Sequence, residues 1–145
     1  VGYVCSRDGQ GSPSIYSLIE RKHHDLNIAG RLDKDSSGLV LMTNDGDLLF
    51  KLTHPGNNKD KVYIVNINKS LKTDEMKQLV TGIDIGDERP SKFKNIKRID
   101  NNSYEIVLSE GRNRQIRRTF EALGMRVKKL HRTRIGQYDI KQAIR

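Results

Sequence analysis

The residues best placed to do chemistry stand in Gly30-Arg31-Leu32-Asp33-Lys34-Asp35-Ser36-Ser37-Gly38-Leu39. A carboxylate, Asp33, follows an arginine and a leucine between two glycines, and the apolar run Leu39–Met42 comes directly after. A side chain on a tight loop, anchored by a buried strand, is a common mounting for a catalytic group. A carboxylate so placed can serve as nucleophile or base. Asp35, its neighbour, reads as a turn-stabilising side chain that bonds local amides. A second, cationic cluster runs from Glu110 to Arg118. There Arg117 adjoins Ile116 at the edge of an apolar helical stripe, which suits a charge reaching inward. Arg114 and Arg118 are i, i+4 neighbours and read as facing phosphates.

The charge pattern points to a polyanionic partner. Between Gly111 and Arg134 stand nine basic residues (Arg112, Arg114, Arg117, Arg118, Arg126, Lys128, Lys129, Arg132, Arg134) against one acid, Glu121. These 24 residues hold nearly all of the net charge of +9. Ordinary surfaces intersperse the two signs, so a one-signed stripe is the footprint of nucleic acid. Other chemistries fit poorly. Asp33-x-Asp35-x-Ser37-Gly38 imitates a calcium loop, but Asn44 stands where the bidentate glutamate is required. The histidines show no metal-ligand spacing with Cys5, so no zinc is expected. Glycine-rich nucleotide loops are missing, and so are helix-turn-helix and zinc-finger patterns.

The elements that must position these groups follow from periodicity and punctuation. Val1–Cys5 reads as a strand and Arg7–Ser12 as a loop. Ser12 and Pro13 start a short helix carrying Ile15, Leu18 and Ile19. Leu39–Met42 reads as a buried strand. Asn44 or Asp45 caps a helix with Leu48, Leu49 and Leu52 that stops before His54-Pro55-Gly56. Lys61–Asn68 alternates and is β-branched, hence a strand. Thr73 caps a helix through Met76, Leu79 and Val80 that ends at Gly82. Phe93–Ile99 and Tyr104–Leu108 form a hairpin across Asp100-Asn101-Asn102. In Asn113–Leu123, Ile116, Phe120 and Leu123 fall at i, i+4 and i+7 of a helix closed by Gly124. Val127–Ile135 is a last strand. The fold class expected is α+β, a mixed and mostly antiparallel sheet flanked by helices.

At 145 residues the chain reads as one domain, 1–145, with enough material for a core. It has no run of about 18 apolar residues and no visible signal peptide, so no membrane association is expected. One cysteine, Cys5, allows no internal disulfide and suits a reducing, cytoplasmic setting. Val1 rather than Met begins the chain, which reads as a trimmed chain. A monomer is the default expectation.

Four segments, in order, resemble one family. They are Gly2-Tyr3-Val4-Cys5-Ser6, then Gly30–Leu39 continuing into Thr43-Asn44-Asp45-Gly46, then Lys61-Val62-Tyr63, then Glu110–Arg118 followed by Leu130-His131-Arg132-Thr133-Arg134-Ile135-Gly136. Together they are similar to the catalytic domain of the RsuA-type bacterial ribosomal RNA pseudouridine synthases. Such enzymes break the bond from ribose to the base nitrogen, turn the base and rejoin it through carbon. Bonds are only exchanged, so no cofactor is expected. The needs are a carboxylate, a base-stacking surface, a cation for the carboxylate and a pocket for a flipped nucleotide. The resemblance implies that Asp33 is the nucleophile, toward the sugar or the base. It implies that Tyr63 stacks on the base, that Arg117 pairs with Asp33, and that Leu130 lines the uracil pocket beside Ile116. Arg31 either binds RNA or braces the loop. Arg112, Arg114, Arg118, Lys128, Lys129, Arg132 and Arg134 would contact phosphates of ribosomal RNA, free or in a pre-ribosomal particle.

The chain departs from the family pattern in three ways. It lacks room for the small N-terminal RNA-binding domain that relatives often carry, it lacks the asparagine-lysine-proline run that commonly precedes Gly2, and it has Val62 where a smaller residue is usual. The competing reading is a ribosome-assembly factor that binds ribosomal RNA without modifying it. The basic stripe alone supports both.

Overall fold

The structure is a computed structural model that describes residues 1–7, 9, 11–54, 56 and 59–143. Asp8 and Gln10 of the expected N-terminal loop, and Pro55 of the expected helix stop, lie outside the described residues. In chain order the elements are β1 (Asn27–Ala29), β2 (Ser37–Gly38), β3 (Leu41–Thr43), α1 (Gly46–Thr53), β4 (Lys61–Ile67), α2 (Thr73–Thr81), β5 (Asn95–Arg98), β6 (Ser103–Leu108), α3 (Gln115–Ala122), β7 (Val127–Ile135) and β8 (Tyr138–Asp139).

The main sheet runs β2-β7-β4-β6-β5, with β8 added on β7. Every pairing in it is antiparallel except β2 on β7, which is parallel. A separate antiparallel pair, β1 with β3, stands beside it and carries α1. Alternation explains the long strands. Tyr63, Val65 and Ile67 of β4 and Tyr104, Ile106 and Leu108 of β6 all turn to one face. There they meet Leu79 of α2 and Ile116 and Phe120 of α3 in a single core cluster. Three helix ends have a visible cause. Asp45 caps α1 by accepting from the amides of Asp47 and Leu48. In α2 the Glu75 carboxylate reaches back 2.9 Å to the Lys72 amide, and Gly82 ends the helix with φ +136°.

Three expectations are corrected near the N-terminus. Val1–Cys5 is not a strand; it contributes a single bridge, Val4 to Ser14. The short helix is a 3-10 turn, Ile15–Leu18, capped by Ser14 rather than Ser12. The strand expected at Leu39–Met42 is displaced to Leu41–Thr43, because Leu39 instead gives its amide to the Arg132 carbonyl at 2.8 Å.

Candidate active site

The Gly30–Leu39 loop is held from beneath by β7. Strand β2 lies parallel to His131 and Arg132 so closely that a Cβ on Gly38 would come within 2.1 Å of the Arg132 carbonyl oxygen. Gly38 therefore has to be glycine at its φ of +113°. The Arg132 side chain then folds back under the loop. Its Nε donates to the Leu39 carbonyl at 2.9 Å, Nη2 to Gly30 at 3.0 Å and Nη1 to Arg31 at 3.4 Å. It is only 2% exposed. Burying a guanidinium is tolerated where its donors are matched, and here three carbonyls match them.

The other side of the loop is held by α3. Arg114, whose φ of +49° is left-handed, forms a fork with the Asp35 carboxylate at 3.1 and 3.0 Å. Its Nη1 also stands 3.6 Å from Asp33 Oδ2. Arg117 is buried, as its place beside Ile116 suggests, and Nη2 donates to the Asp35 carbonyl at 3.0 Å and to Ser36 Oγ at 3.3 Å. Its Nε lies 3.5 Å from the Asp35 carboxylate and makes no hydrogen bond. The hydrogen bond from Arg114 holds the Asp35 carboxyl below the usual carboxylate range; burial opposes this, and the charges of Arg117 and Arg114 reinforce it.

Asp33, with a third of its side chain exposed, opens onto a cleft of about 1000 Å³. Tyr63, Leu130, Ile116, Arg31, Arg112, Arg114, Arg117 and Arg132 also line it. Tyr63 and Leu130 are buried in the core cluster, 7% and 6% exposed, so the sheet itself forms part of the cleft wall. Four expected residues, Arg118, Lys128, Lys129 and Arg134, lie outside the cleft lining.

Several charge assignments change. Arg117 does not pair with the Asp33 carboxylate; its carboxylate partner is Asp35, and the cation nearest Asp33 is Arg114. The left-handed turn at Arg114 brings that side chain over the loop, which spacing along a regular helix does not anticipate. Arg132 is not a surface phosphate contact, because it braces the loop from inside. Arg112 is not free for phosphate either. It donates to the carbonyls of Arg89 and Pro90 at 2.7 and 3.0 Å and pairs with Glu110 at 2.8 Å. Arg118 forks onto Asp87 at 3.0 and 3.2 Å, and Arg134 pairs with Asp139 at 3.0 Å. Lys128 and Lys129 remain exposed on β7. Asp35 is more than a turn residue, since it joins the loop to α3. Lys61 also lines the cleft. Its position two residues before Tyr63, on the same side of a strand, was the available signal.

The model of one protein family, described as RNA pseudouridylate synthase, matches residues 1–122. The chain belongs to the RNA pseudouridylate synthase family. Among its relatives in that family is the ribosomal small subunit pseudouridine synthase A of Yersinia pestis, 39% identical over 141 residues, which are 96% of this chain and 60% of that protein. Another is the ribosomal large subunit pseudouridine synthase B of Yersinia pestis, 34% identical over 149 residues, with 99% of this chain and 46% of that protein covered. The crystal structure of a pseudouridylate synthase superposes with a TM-score of 0.91 at 33% identity, over 99% of this chain and 63% of that one. The α+β fold with a mostly antiparallel sheet is thus the fold of this family. The chain spans well under two thirds of the length of both curated relatives. Both of the loop's braces, Arg117 and Arg132, therefore lie in segments that carried the family resemblance, and Arg117 also falls within the residues the family model matches.

Proposed function

We propose that residues 1–145 are the catalytic domain of an RNA pseudouridine synthase that isomerises one or a few uridines of ribosomal RNA. The observation that carries this reading is the meeting of Asp33, Tyr63, Arg117 and Leu130, drawn from three distant segments, in one cleft. In the overall change the bond from ribose to base nitrogen 1 breaks and a bond from ribose to carbon 5 forms. The proton leaves carbon 5 and nitrogen 1 gains one, so nothing is oxidised or reduced. Asp33 is the nucleophile. Its backbone is fixed by the Arg132 brace below and the Arg117 brace beside it, so the carboxylate meets the target with little freedom to lose. Arg114, with Nη1 3.6 Å from Asp33 Oδ2, sets a cation beside that carboxylate. Tyr63 stacks on the flipped uracil, and Leu130 and Ile116 complete the apolar side of the pocket. Arg31 and the exposed Lys128 and Lys129 contact phosphates.

Asp33→Asn tests the assignment of roles. It is expected to abolish turnover while leaving affinity for the RNA within a few-fold. A large loss of affinity with turnover intact would contradict it. Binding by both proteins with turnover by neither, on free RNA and on pre-ribosomal particles, would favour the assembly-factor reading.

A further inference from the structure

Lys61 is a cation in the cleft with no ion-pair partner among the described residues. It opens β4, and the regular pairing of Lys61, Val62 and Tyr63 with Leu108, Val107 and Ile106 keeps Lys61 and Tyr63 on one side of the strand. It lines the same cleft as Asp33 and Tyr63. Its Nζ sits beside Gly111, 3.6 Å from where a Cβ there would stand. The two carboxylates nearby are engaged elsewhere. Asp60 pairs with Lys94 at 2.7 Å, and Glu110 takes Arg112 at 2.8 Å and the Gln115 amide at 2.9 Å. Among the described residues Lys61 makes no ion pair. A half-buried charge without a partner is unfavourable unless a ligand supplies the other half.

We infer that Lys61 is a catalytic residue whose ammonium stabilises the negative charge that builds on a ring carbonyl oxygen of the target uracil. This rests on the isomerase reading. Whether Asp33 attacks ribose and the ring leaves with the electron pair of the broken bond, or Asp33 adds to the ring, the excess charge spreads to the carbonyl oxygens. A fixed cation there favours the transition state over the bound ground state. Lys61 donates a hydrogen bond and keeps its proton; the carbon 5 proton does not pass through it. Burial pushes its ammonium below the ordinary lysine range, and the charge of Arg132 adds to this, while Asp60 and Glu110 oppose.

The test is turnover of ribosomal RNA carrying tritium at uracil carbon 5, with RNA binding measured over a range of salt, for the wild type, Lys61→Gln and Lys61→Arg. Lys61→Gln is expected to lower kcat about 100-fold, with Kd and its salt dependence unchanged. Lys61→Arg should restore much of kcat and carry activity to higher pH, because its charge survives where the lysine's is lost. Normal kcat in Lys61→Gln would overturn the inference. So would a loss of affinity with a salt slope smaller by about one, which marks a phosphate contact. Removing a half-buried charge should not lower the unfolding midpoint, and if Lys61→Gln fails to fold, Lys61→Arg decides by its pH profile. A wild type that releases no tritium, like Asp33→Asn, would defeat the isomerase reading itself, a result distinct from failure at Lys61 alone.

Discussion

Asp35 makes the tie between the Gly30–Leu39 loop and α3 sensitive to acid. Its carboxyl is held below the ordinary range in the folded protein, chiefly by the Arg114 fork. A group depressed on folding adds stability that is present above its unfolded value, about 3.9, and is lost as pH falls through the folded value. Asp35→Asn should therefore lower stability at pH 7 and flatten the fall in stability below about pH 4. Thermal unfolding over that range checks it; parallel curves for the two proteins would contradict the tie. Because Asp35 is half exposed, the effect is modest. At this scale the sequence marked residues that meet in the cleft but not their partners. Asp33, Tyr63 and Leu130 are recognisable from their segments and stand in the cleft. Arg132 is indistinguishable in sequence from its basic neighbours on β7, and only the fold shows that its donors are taken by carbonyls of Gly30, Arg31 and Leu39. Likewise Arg112 and Arg118 reach Arg89, Pro90 and Asp87 in a distant loop, and Arg134 meets Asp139 across the β7–β8 turn, links that a charge count does not make.

Elements with strong internal signals were legible, and those defined by a distant partner were not. β4, β6 and α3 carry alternation or helical spacing long enough to read, and their core faces follow. β1, β2 and β8 span two or three residues each, so no periodicity exists to read. Of these β2 matters most, since its parallel pairing with β7 sets the loop that presents Asp33. That contact permits no side chain at Gly38. Gly38→Ala should cost about 2–4 kcal/mol through backbone strain and overpacking against Arg132, and turnover should fall with it. Chemical denaturation measures the first; an unchanged midpoint would mean that the β2–β7 contact is looser than described.

Across the molecule, the excess positive charge divides into two kinds. Much of the arginine charge between Gly111 and Arg134 is engaged within the fold, paired with Glu110, Asp87, Asp35 and Asp139, while the donors of Arg132 are taken by carbonyls. Lys128 and Lys129 stay exposed, and the proposed function assigns them the longer-range attraction for RNA. Replacing both with Gln should reduce the slope of log affinity against log salt by about one to two, without lowering the unfolding temperature. An unchanged slope would place the RNA on another face. None of the helices, among the described residues, is long and apolar enough to cross a membrane. The most direct measurement of the central claim is release of tritium from carbon 5 of uracil in ribosomal RNA, by the wild type and by Asp33→Asn in parallel. The account predicts release by the wild type, no release by Asp33→Asn, and pseudouridine in the digested product. Equal release by both would contradict it.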